Sequence, residues 1–394
     1  MKIVQAFDFL SLPHGGGTVD VVYRLSRALA QRGHEVVIYT SDFELDKEYV
    51  DSLPGVKVYP FHSWLNLLGL QLMPGMIGET KKRLKGFDII HLHCFRSFQN
   101  IVIHHYAKRY GVPYVLDTHG SLPRTARGKE WFKWLSKWLF DFAFGYKILR
   151  DASKVIAETE VGFSEYKGFG VNQSKIVLLT PPFIVEDYSQ LPPLGHFRDR
   201  YNIKDKRIVL FLGRIHWIKG LDFLVESFYQ LSQDRSDVTL VIVGPDDGYK
   251  PTLEGLISKL NLSDKVLFTG FLGGEEKLSA LVDADVMVQT SIYEQGTGVP
   301  FEAILCNTPI IVSKNTSASE NVSKIDAGYL VEYGNTKELS NTIQHILDNP
   351  AEAESKTQRA QEYIKANLSL EKEIEKYESL YADCIAAEKV NYAE

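Results

Sequence analysis

Residues 291–304 read Ser-Ile-Tyr-Glu-Gln-Gly-Thr-Gly-Val-Pro-Phe-Glu-Ala-Ile. Glu294 and Glu302 are the carboxylates of this stretch, and glycines and a proline lie between them. Glycine permits tight turns and a close approach of the backbone to a ligand, and proline suits the first turn of a helix. We therefore predict a strand at 286–289, then a loop that carries Glu294, then a helix from about Val299 with Glu302 in its first turn.

This stretch can bind hydroxyl groups and an anion. Each carboxylate can accept hydrogen bonds from two neighbouring hydroxyls, and charged bonds of this kind are the stronger class. The backbone N–H groups at the start of a helix bind anions or sugar hydroxyls. Two vicinal diols, one on a hexose and one on a ribose, would match the two carboxylates. The alternative is a capped helix with one glutamate on the surface.

The alternation of strand and helix extends in both directions. A strand at 2–7 is followed by a glycine loop, a helix at 21–32 and a strand at 35–40. Residues 180–196 are rich in proline and polar side chains and interrupt the pattern, which restarts with a strand at 207–212. Alternating strands and helices indicate parallel sheets covered on both faces.

We therefore predict an α/β protein with two doubly wound, Rossmann-like domains that face each other across a cleft. The first domain covers 1–185 and the second covers 197–365. Residues from about 370 to 389 have helical spacing of apolar side chains and are expected to pack back near the first domain.

Composition narrows the classes of function. A hydrophobic content of 44% and a charged content of 24% are ordinary for a globular protein. The formal net charge of -6 argues against a general nucleic-acid binder. Three widely spaced cysteines form no disulfide framework or zinc motif, which favours a reducing cytoplasm. We expect no signal peptide and no membrane span, because no apolar run has the required length.

A basic loop follows the strand predicted at 207–212. It reads Gly-Arg-Ile-His-Trp-Ile-Lys-Gly at 213–220 and lacks the spacing of a phosphate-binding P-loop. Arg214 and Lys219 would still lie beyond the carboxyl end of the strand, where doubly wound sheets bind ligands. Two fixed cations there can stabilise the charge that develops on a departing nucleotide diphosphate. A solvated basic turn is the alternative.

Two features of the N-terminal half are candidates for ligand binding or catalysis. Gly16 lies among three glycines between a strand and a helix, where the backbone can approach a phosphate or an acceptor. His119 ends a predicted strand and can orient a reacting sugar through a hydrogen bond. A histidine that only bonds nearby backbone is the alternative.

We expect no metal and no cofactor. His91, His93 and Cys94 hint at a metal site, but no further ligand has suitable spacing. The sequence Asp283-Ala284-Asp285 resembles a metal-binding Asp-x-Asp, yet it closes a predicted helix before a buried strand. We interpret it as a turn between the two elements.

Residues 124–150 combine aromatic and basic side chains. Seven basic residues stand against two acidic ones here, whereas the whole chain is negatively charged. One apolar face can pack on the domain, which leaves a basic face with aromatics, a pattern typical of interfacial helices. We therefore predict contact with an anionic membrane surface; a core helix covered by a neighbouring loop is the alternative. The residues that share one helical stripe are Trp131, Leu135, Trp138, Phe142 and Leu149, with Phe140 and Phe144 opposite.

Together these motifs resemble those of retaining family 4 glycosyltransferases, which have the GT-B fold. The stretch from Glu294 to Glu302 resembles the Glu-x7-Glu motif of that family, and 213–220 resembles its Gly-Arg-Leu-x-x-x-Lys-Gly loop. Gly16-Gly17 and His119-Gly120 also match. The chain departs from the family pattern at Gln295-Gly296-Thr297-Gly298, at Asn307 and at Phe183-Ile184, which bears on the preference for the donor sugar.

The resemblance implies a nucleotide-sugar donor, a UDP- or GDP-sugar, bound by the C-terminal domain. Glu302 would bind the ribose, Glu294 the transferred sugar, and Arg214 and Lys219 the diphosphate. Transfer would retain the anomeric configuration without a protein nucleophile. The implied catalytic residues are His119, Arg214, Lys219 and Glu294; the implied donor-binding residues are Gly16, Arg214, Lys219, Glu294, Gly296, Thr297, Gly298, Val299 and Glu302.

The acceptor is left open by the sequence. The leading hypothesis is a saccharide or lipid-linked acceptor in cell-surface polysaccharide or glycolipid synthesis. The expected location is the cytoplasm, including the cytoplasmic face of the membrane. A soluble acceptor, as used by disaccharide or sugar-phosphate synthases, is the second. A noncatalytic subunit that binds sugar nucleotides is the third.

Overall fold

The computed structural model describes residues 1–67, 70–124, 131–181, 183–296 and 298–391, and the side chains of residues 12–15, 66–67 and 391 are not described. The chain divides into two compact units. Unit 1 comprises Met1–Phe183 and Leu370–Glu394, and unit 2 comprises Ile184–Ser369.

Unit 1 is built on a parallel sheet of seven strands. The strands are β1 (Lys2–Phe9), β2 (Glu35–Ser41), β3 (Val56–Phe61), β6 (Ile89–His93), β7 (Tyr114–Asp117), β8 (Lys154–Ala157) and β9 (Ile176–Leu178), and a separate antiparallel pair is formed by β4 (Leu65–Leu67) and β5 (Leu70–Leu72). The order across the sheet is β3-β2-β1-β6-β7-β8-β9. The order therefore reverses between β1 and β6, as in a doubly wound sheet.

The helices of unit 1 cover both faces of this sheet. They are α1 (Leu12–Gln31), α2 (Lys47–Asp51), α3 (Pro74–Arg83), α4 (Phe98–Tyr110), α5 (Trp131–Phe140), α6 (Tyr146–Asp151), α7 (Glu160–Gly168) and α16 (Leu370–Asn391). A π-helical turn at Asp141–Gly145 joins α5 to α6. The predicted C-terminal helix exists: Ile374, Tyr377 and Tyr381 of α16 are buried in one apolar cluster with Ile3 of β1 and Ile89 of β6.

Unit 2 repeats this architecture with six parallel strands. The strands are β10 (Arg207–Leu212), β11 (Val238–Val243), β12 (Val266–Gly270), β13 (Val286–Gln289), β14 (Ile310–Ser313) and β15 (Tyr329–Val331). The helices are α8 (His196–Arg200), α9 (Leu221–Asp234), α10 (Lys250–Lys259), α11 (Gly274–Asp283), α12 (Gly298–Leu305), α13 (Ser317–Lys324), α14 (Thr336–Asp348) and α15 (Pro350–Asn367). The sheet order β12-β11-β10-β13-β14-β15 reverses between β10 and β13.

The predicted α/β class with two doubly wound sheets is thus confirmed. The apolar strands form because both faces of each sheet are covered: all residues of β11 and β13 are buried. The pattern missed β15 and the hairpin β4–β5, which are only three residues each. Such short strands contain too little alternation to separate them from loops.

The glycine loop after β1 differs from its prediction. Helical residues begin at Leu12, before the glycines, and α1 is interrupted at Gly16, where φ is 52° and ψ is -140°. Only glycine adopts this combination readily, because a Cβ atom would clash with the backbone. Gly16 therefore redirects the start of α1 rather than lying in an open loop.

Candidate active site

Two neighbouring strands of unit 2 position the central residues of the site. Lys219 follows β10 and Glu294 follows β13, and these strands pair with Val209 opposite Val286. Both strands flank the point where the sheet order reverses, which is where doubly wound sheets bind ligands. The sequence predicted each strand, and their adjacency brings the two motifs together.

Backbone bonds join the two loops. Ile292 donates its N–H to the carbonyl of Ile218 at 2.8 Å, and the Thr290 hydroxyl donates to the carbonyl of Lys219 at 3.0 Å. Gly220 has φ of 62°, and a Cβ atom placed on it would lie 2.2 Å from the Thr290 carbonyl oxygen. Only a glycine allows this contact, which fixes the position of the neighbouring Lys219.

Lys219 and Glu294 form an ion pair, and each side chain is 17% exposed. Glu294 Oε2 also accepts hydrogen bonds from Gln289 Nε2 at 3.2 Å and from the Ser291 hydroxyl at 3.1 Å. Glu294 is thereby held by three donors on one of its oxygens. Such fixed geometry is what a residue that orients a ligand requires.

Glu302 lies on α12 and is 5% exposed. The helix begins at Gly298, so Glu302 lies in its second turn rather than in the first turn that the sequence predicted. Lys277 of α11 binds Glu302 Oε2 at 2.9 Å. Burial and the neighbouring Glu302 carboxylate raise the pKa of the Cys306 thiol to about 12. No sequence motif pointed to Lys277, because it lies on a different helix outside either motif.

The remaining predicted residues of unit 2 lie on the loops after β10 and β13 and at the start of α12. Arg214 binds Asp247, which follows β11, and the side chains are 46% and 44% exposed. Gly296 lies in the loop before α12, and Gly298 and Val299 are the first residues of that helix. Thr297, which the resemblance also implies, lies outside the described residues.

The two aspartates of Asp283-Ala284-Asp285 have structural partners. Asp283 accepts hydrogen bonds from the backbone N–H groups of Gly195 at 2.6 Å and Arg198 at 2.9 Å, at the start of α8. Asp285 binds the Arg198 guanidinium at 2.8 Å and the Ile208 N–H at 2.7 Å. These bonds agree with the interpretation as a structural turn.

In unit 1, His119 follows β7 with φ of 43°. Its Nε2 lies 2.9 Å from His93 Nδ1, and the two rings are nearly parallel, with planes 6° apart and centroids 5.2 Å apart. His93 in turn stacks on His91, whose Nδ1 lies 2.7 Å from the Tyr381 hydroxyl of α16. A buried row of three histidines therefore runs from the C-terminal helix to the predicted catalytic residue.

Burial and neighbouring charges shift the pKa values of these histidines in different directions. Burial lowers the pKa of His91 and of His93 well below the usual value, so both rings are neutral. Burial also disfavours a charge on His119, but Asp117 and Glu158 outweigh it and raise the pKa of His119. Burial raises the pKa of Asp117, although His119 opposes that shift.

The segment that starts at α5 exposes an unusual number of large apolar side chains. Trp138 stacks on Phe142 with centroids 5.7 Å apart, while Asp141 between them is fully buried. Asp141 accepts hydrogen bonds from Arg96 at 2.7 and 2.8 Å and from Arg124 at 2.6 Å, which fixes the π-helical turn to the unit. The exposed side chains are Trp131, Phe132, Trp134, Leu135, Trp138, Leu139, Phe142, Phe144 and Tyr146.

The predicted stripe therefore has another orientation than expected. Leu149 and Phe140 are buried, whereas Trp131, Trp138 and Phe142 are exposed. The π-helical turn shifts the phase between α5 and α6, so one helical wheel over the whole segment is wrong. Arg127, Lys129 and Glu130 of the predicted basic segment lie outside the described residues. Among the described helices, none has the length and apolarity needed to cross a membrane.

Comparison with known proteins identifies the family. The family model for glycosyl transferases group 1 matches residues 196–366, and the model for glycosyltransferase family 4 matches residues 15–186. The chain belongs to the family 4 glycosyltransferases. The predicted membership is thus confirmed, and the two doubly wound units are those of the GT-B fold.

Individual relatives are distant. A 2-deoxystreptamine glucosyltransferase of Streptomyces kanamyceticus is 23% identical over 58% of this chain, and the match spans 58% of that relative's own length. An N-acetyl-alpha-D-glucosaminyl L-malate synthase of Bacillus anthracis is 22% identical over 96% of each chain. The crystal structure of HepE from Anabaena, in complex with UDP and glucose, has a TM-score of 0.80 at 19% identity and covers 97% of this chain and 100% of HepE.

The close contact at Gly220 makes a first prediction. Gly220→Ala should destabilise unit 2, because a positive φ in a residue with a Cβ costs about 1–3 kcal/mol even before the contact with Thr290 is counted. Urea unfolding should show a lower midpoint for this variant.

Gly255→Ala is the matched control. Gly255 lies exposed within α10, with nothing within 4 Å of an added Cβ. Alanine should stabilise that helix by about 0.5–1 kcal/mol. Equal midpoints for Gly220→Ala and wild type would show that the loop accommodates a side chain and that the contact does not position Lys219.

Proposed function

We propose that this protein is a retaining glycosyltransferase that moves a sugar from a UDP- or GDP-sugar to a saccharide or lipid-linked acceptor. The observation that carries the proposal is the pair Lys219–Glu294, held between two loops at the switch point of unit 2. It places a cation and a carboxylate side by side, as a bound sugar diphosphate requires. The relation to HepE, solved with UDP and glucose, supports a nucleotide-sugar donor.

Lys219 and Arg214 would stabilise the leaving diphosphate. A lysine ammonium has three N–H donors and an arginine guanidinium has five, so each can keep its carboxylate partner and still donate to phosphate oxygens. Charge on the diphosphate grows as the bond to the sugar breaks, so fixed cations stabilise the transition state more than the ground state. This role needs no metal ion at the donor.

The two glutamates would bind the hydroxyl groups of the donor. Glu294 receives its three protein bonds on Oε2, and its Oε1 would accept from the transferred sugar. Glu302 would accept from the ribose, with its charge balanced by Lys277. Gly296, Thr297, Gly298 and Val299 would contribute backbone N–H groups. Gly16 and His119 would act on the acceptor side.

Attack from the face that the diphosphate leaves would retain the anomeric configuration. This route needs no nucleophilic side chain, because the developing charge lies on the sugar and on the leaving group. Stabilisation of the leaving group by Lys219 and Arg214 then supplies most of the catalysis.

The exposed aromatic segment favours an acceptor at a membrane. Trp138, Phe142 and their neighbours are exposed, and they are of the aromatic type that interfacial helices insert at the boundary between headgroups and acyl chains. Lys133, Lys137 and Lys147 lie on the same segment and would attract anionic lipid, at about 1 kcal/mol for each cation near the surface. A peripheral position on a membrane, with polysaccharide or glycolipid synthesis as the process, follows from this proposal.

A soluble acceptor is the second candidate. The Bacillus anthracis relative is named N-acetyl-alpha-D-glucosaminyl L-malate synthase, and its alignment spans 96% of each chain. If the aromatic segment does not bind lipid, this candidate becomes the leading one. A noncatalytic sugar-nucleotide subunit is the third, and the pairing of Lys219 with Glu294 weighs against it.

Replacement of Lys219 tests the donor site. Lys219→Ala should lower turnover about 10²–10³-fold, or about 2.7–4 kcal/mol, by analogy with the loss of one oxyanion donor. The donor itself is found first by thermal shift, because the nucleotide sugar that binds the native state raises the melting temperature. Initial rates with that donor then compare the variant with wild type.

The control is Lys259→Ala, which removes an exposed lysine at the end of α10. Both variants should melt within a few degrees of wild type. Turnover of Lys219→Ala at the wild-type rate would sink the assignment, and wild type that binds a donor but transfers no sugar would favour a noncatalytic subunit. An inverted anomer, seen by NMR in fresh product, would contradict retention.

The second test concerns metal ions. Protein cations take the place of a divalent ion in the proposed donor site, so turnover should persist in excess chelator. Initial rates with and without EDTA measure this directly. Loss of activity with EDTA and recovery with Mg²⁺ or Mn²⁺ would show that the donor diphosphate needs a metal ion.

The third test concerns the membrane. Wild type should co-sediment with vesicles that contain anionic lipid, bind less to neutral vesicles, and dissociate as salt rises. The double variant Trp138→Ala/Phe142→Ala should lose most of this binding, since it removes two exposed aromatic rings. Sedimentation assays at low and high salt provide the measurement.

Tyr363→Ala is the matched control, because Tyr363 is a similarly exposed aromatic on α15 of unit 2. A third variant, Lys133→Ala/Lys137→Ala/Phe144→Ala, should also bind less, because it removes two cations and one exposed aromatic ring. Wild type that stays in the supernatant with anionic vesicles at low salt would refute the membrane proposal and favour the soluble acceptor.

A further inference from the structure

Three side chains, each with an atom that can bind a metal ion, converge at one end of the sheet in unit 1. Asp117 ends β7, His119 follows it, and Glu158 follows the neighbouring strand β8. His119 Nδ1 lies 3.5 Å from Asp117 Oδ1 and 3.4 Å from Glu158 Oε1. One ligand atom from each residue lies within 4.8 Å of the other two. The side chains are only 3–8% exposed, so water screens the interactions among these atoms only weakly.

The hydrogen bonds of His93 determine the tautomer of His119, that is, which ring nitrogen carries the hydrogen and which has a lone pair. His93 Nε2 lies 2.6 Å from Gln5 Oε1, and a carbonyl oxygen only accepts, so this nitrogen carries the hydrogen. In a neutral ring, His93 Nδ1 is then the acceptor, and His119 Nε2 donates to it at 2.9 Å. His119 Nδ1 is left with its lone pair directed at Asp117 and Glu158.

Two carboxylates and a lone pair need a cation between them. A second proton on His119 is one choice, but N–H···O bonds usually span about 2.7–3.2 Å, less than both observed distances. Around a tetrahedral zinc ion with bonds of about 2.0–2.1 Å, neighbouring ligand atoms lie about 3.3–3.4 Å apart. The separations of 3.4 and 3.5 Å are close to that spacing.

A second observation points to the same place. Asp117 is 2% exposed, and its Oδ2 has no hydrogen-bond partner among the described residues. A buried carboxylate oxygen without a partner is costly, and a cation would offset that cost. The bond from His119 Nε2 to His93 is the type of outer contact that orients metal-binding histidines.

We propose that Asp117, His119 and Glu158 bind a divalent transition-metal ion of the zinc type. Nitrogen and carboxylate oxygen suit zinc, and three protein ligands leave one tetrahedral position open. His93 and Gln5 are positioning residues for His119. All three residues belong to unit 1, and none of them is a proposed donor-binding residue. Since an ion would occupy His119, we expect zinc to inhibit transfer rather than support it.

Calorimetric titration of chelator-treated protein with Zn²⁺ tests the site without relying on turnover. Wild type should bind one Zn²⁺ per chain. Glu158→Gln should bind at least about 100-fold more weakly, because it loses a ligand, and Gln5→Met about 10–100-fold more weakly, because it loses an outer contact. Glu160→Gln is the matched control: it makes the same change two residues away, at an exposed position, and should bind as wild type does.

Co²⁺ provides a readout that needs no variant. Bound to wild type, it should show the visible bands of a tetrahedral nitrogen and oxygen site without absorption from thiolate. Zinc should also raise the melting temperature of wild type and of Cys94→Ser, but not of Glu158→Gln. Circular dichroism checks that each variant is folded.

Three results would overturn the proposal. These are no Zn²⁺ binding by wild type, equal binding by Glu158→Gln and Glu160→Gln, and thiolate bands in the Co²⁺ spectrum. The first would leave a second proton on His119 as the cation. The last would indicate capture by a cysteine. None of them bears on Lys219, so the glycosyltransferase proposal is decided separately.

Discussion

The close contact between Gly220 and the carbonyl oxygen of Thr290 is the constraint on which the proposed donor site depends. It lets the loop after β10 lie directly against the loop after β13, and the bond from Ile292 to Ile218 holds the two together. Lys219 and Glu294 are then neighbours because of the backbone, not because their charges attract. An ion pair of partly exposed side chains would itself contribute little to stability. The energy that positions the pair comes from the buried strands β10 and β13 and from the backbone bonds between their loops.

The constraint in unit 1 is different, because its buried polar side chains need hydrogen-bond partners. His91 and His93 have almost no exposure, yet hydrogen bonds link them to Tyr381 of α16 and to Gln5 of β1. Buried polar groups are costly unless they are bonded, so such a row specifies one arrangement of helix and sheet. The C-terminal helix therefore does more than fill an apolar face, since its tyrosine completes a network that ends at His119. The rings of His91 and His93 are neutral, and the acidic groups of this network are Asp117 and Glu158 next to His119.

Much of this could be predicted from the sequence, and the parts that could not have physical reasons. Long apolar strands such as β11 were clear because both faces of a parallel strand are buried. The loops that carry Lys219 and Glu294 were placed after predicted strands, but the ion pair between them was not predicted, because it depends on β10 and β13 being neighbours in the sheet. Lys277 was missed because its contact with Glu302 joins two helices that share no local pattern. The predicted stripe does not extend to Leu149, which is buried, because a π-helical turn that no periodicity reveals changes the phase after Phe140.

The paired charges of unit 2 also affect how strongly the proposed site interacts with the donor in the ground state and in the transition state. Each proposed contact to the donor already has a partner of opposite charge: Asp247 for Arg214, Glu294 for Lys219 and Lys277 for Glu302. A donor must therefore share these groups, so part of the gain from new bonds is offset by weakening the old ones. The same partners also lower the positive potential that the diphosphate meets as it becomes more negative, so pairing weakens the interaction in the ground state and in the transition state. Only the difference between those two interactions accelerates transfer. A site of unpaired cations would hold the donor more tightly and would also respond more strongly to the developing charge.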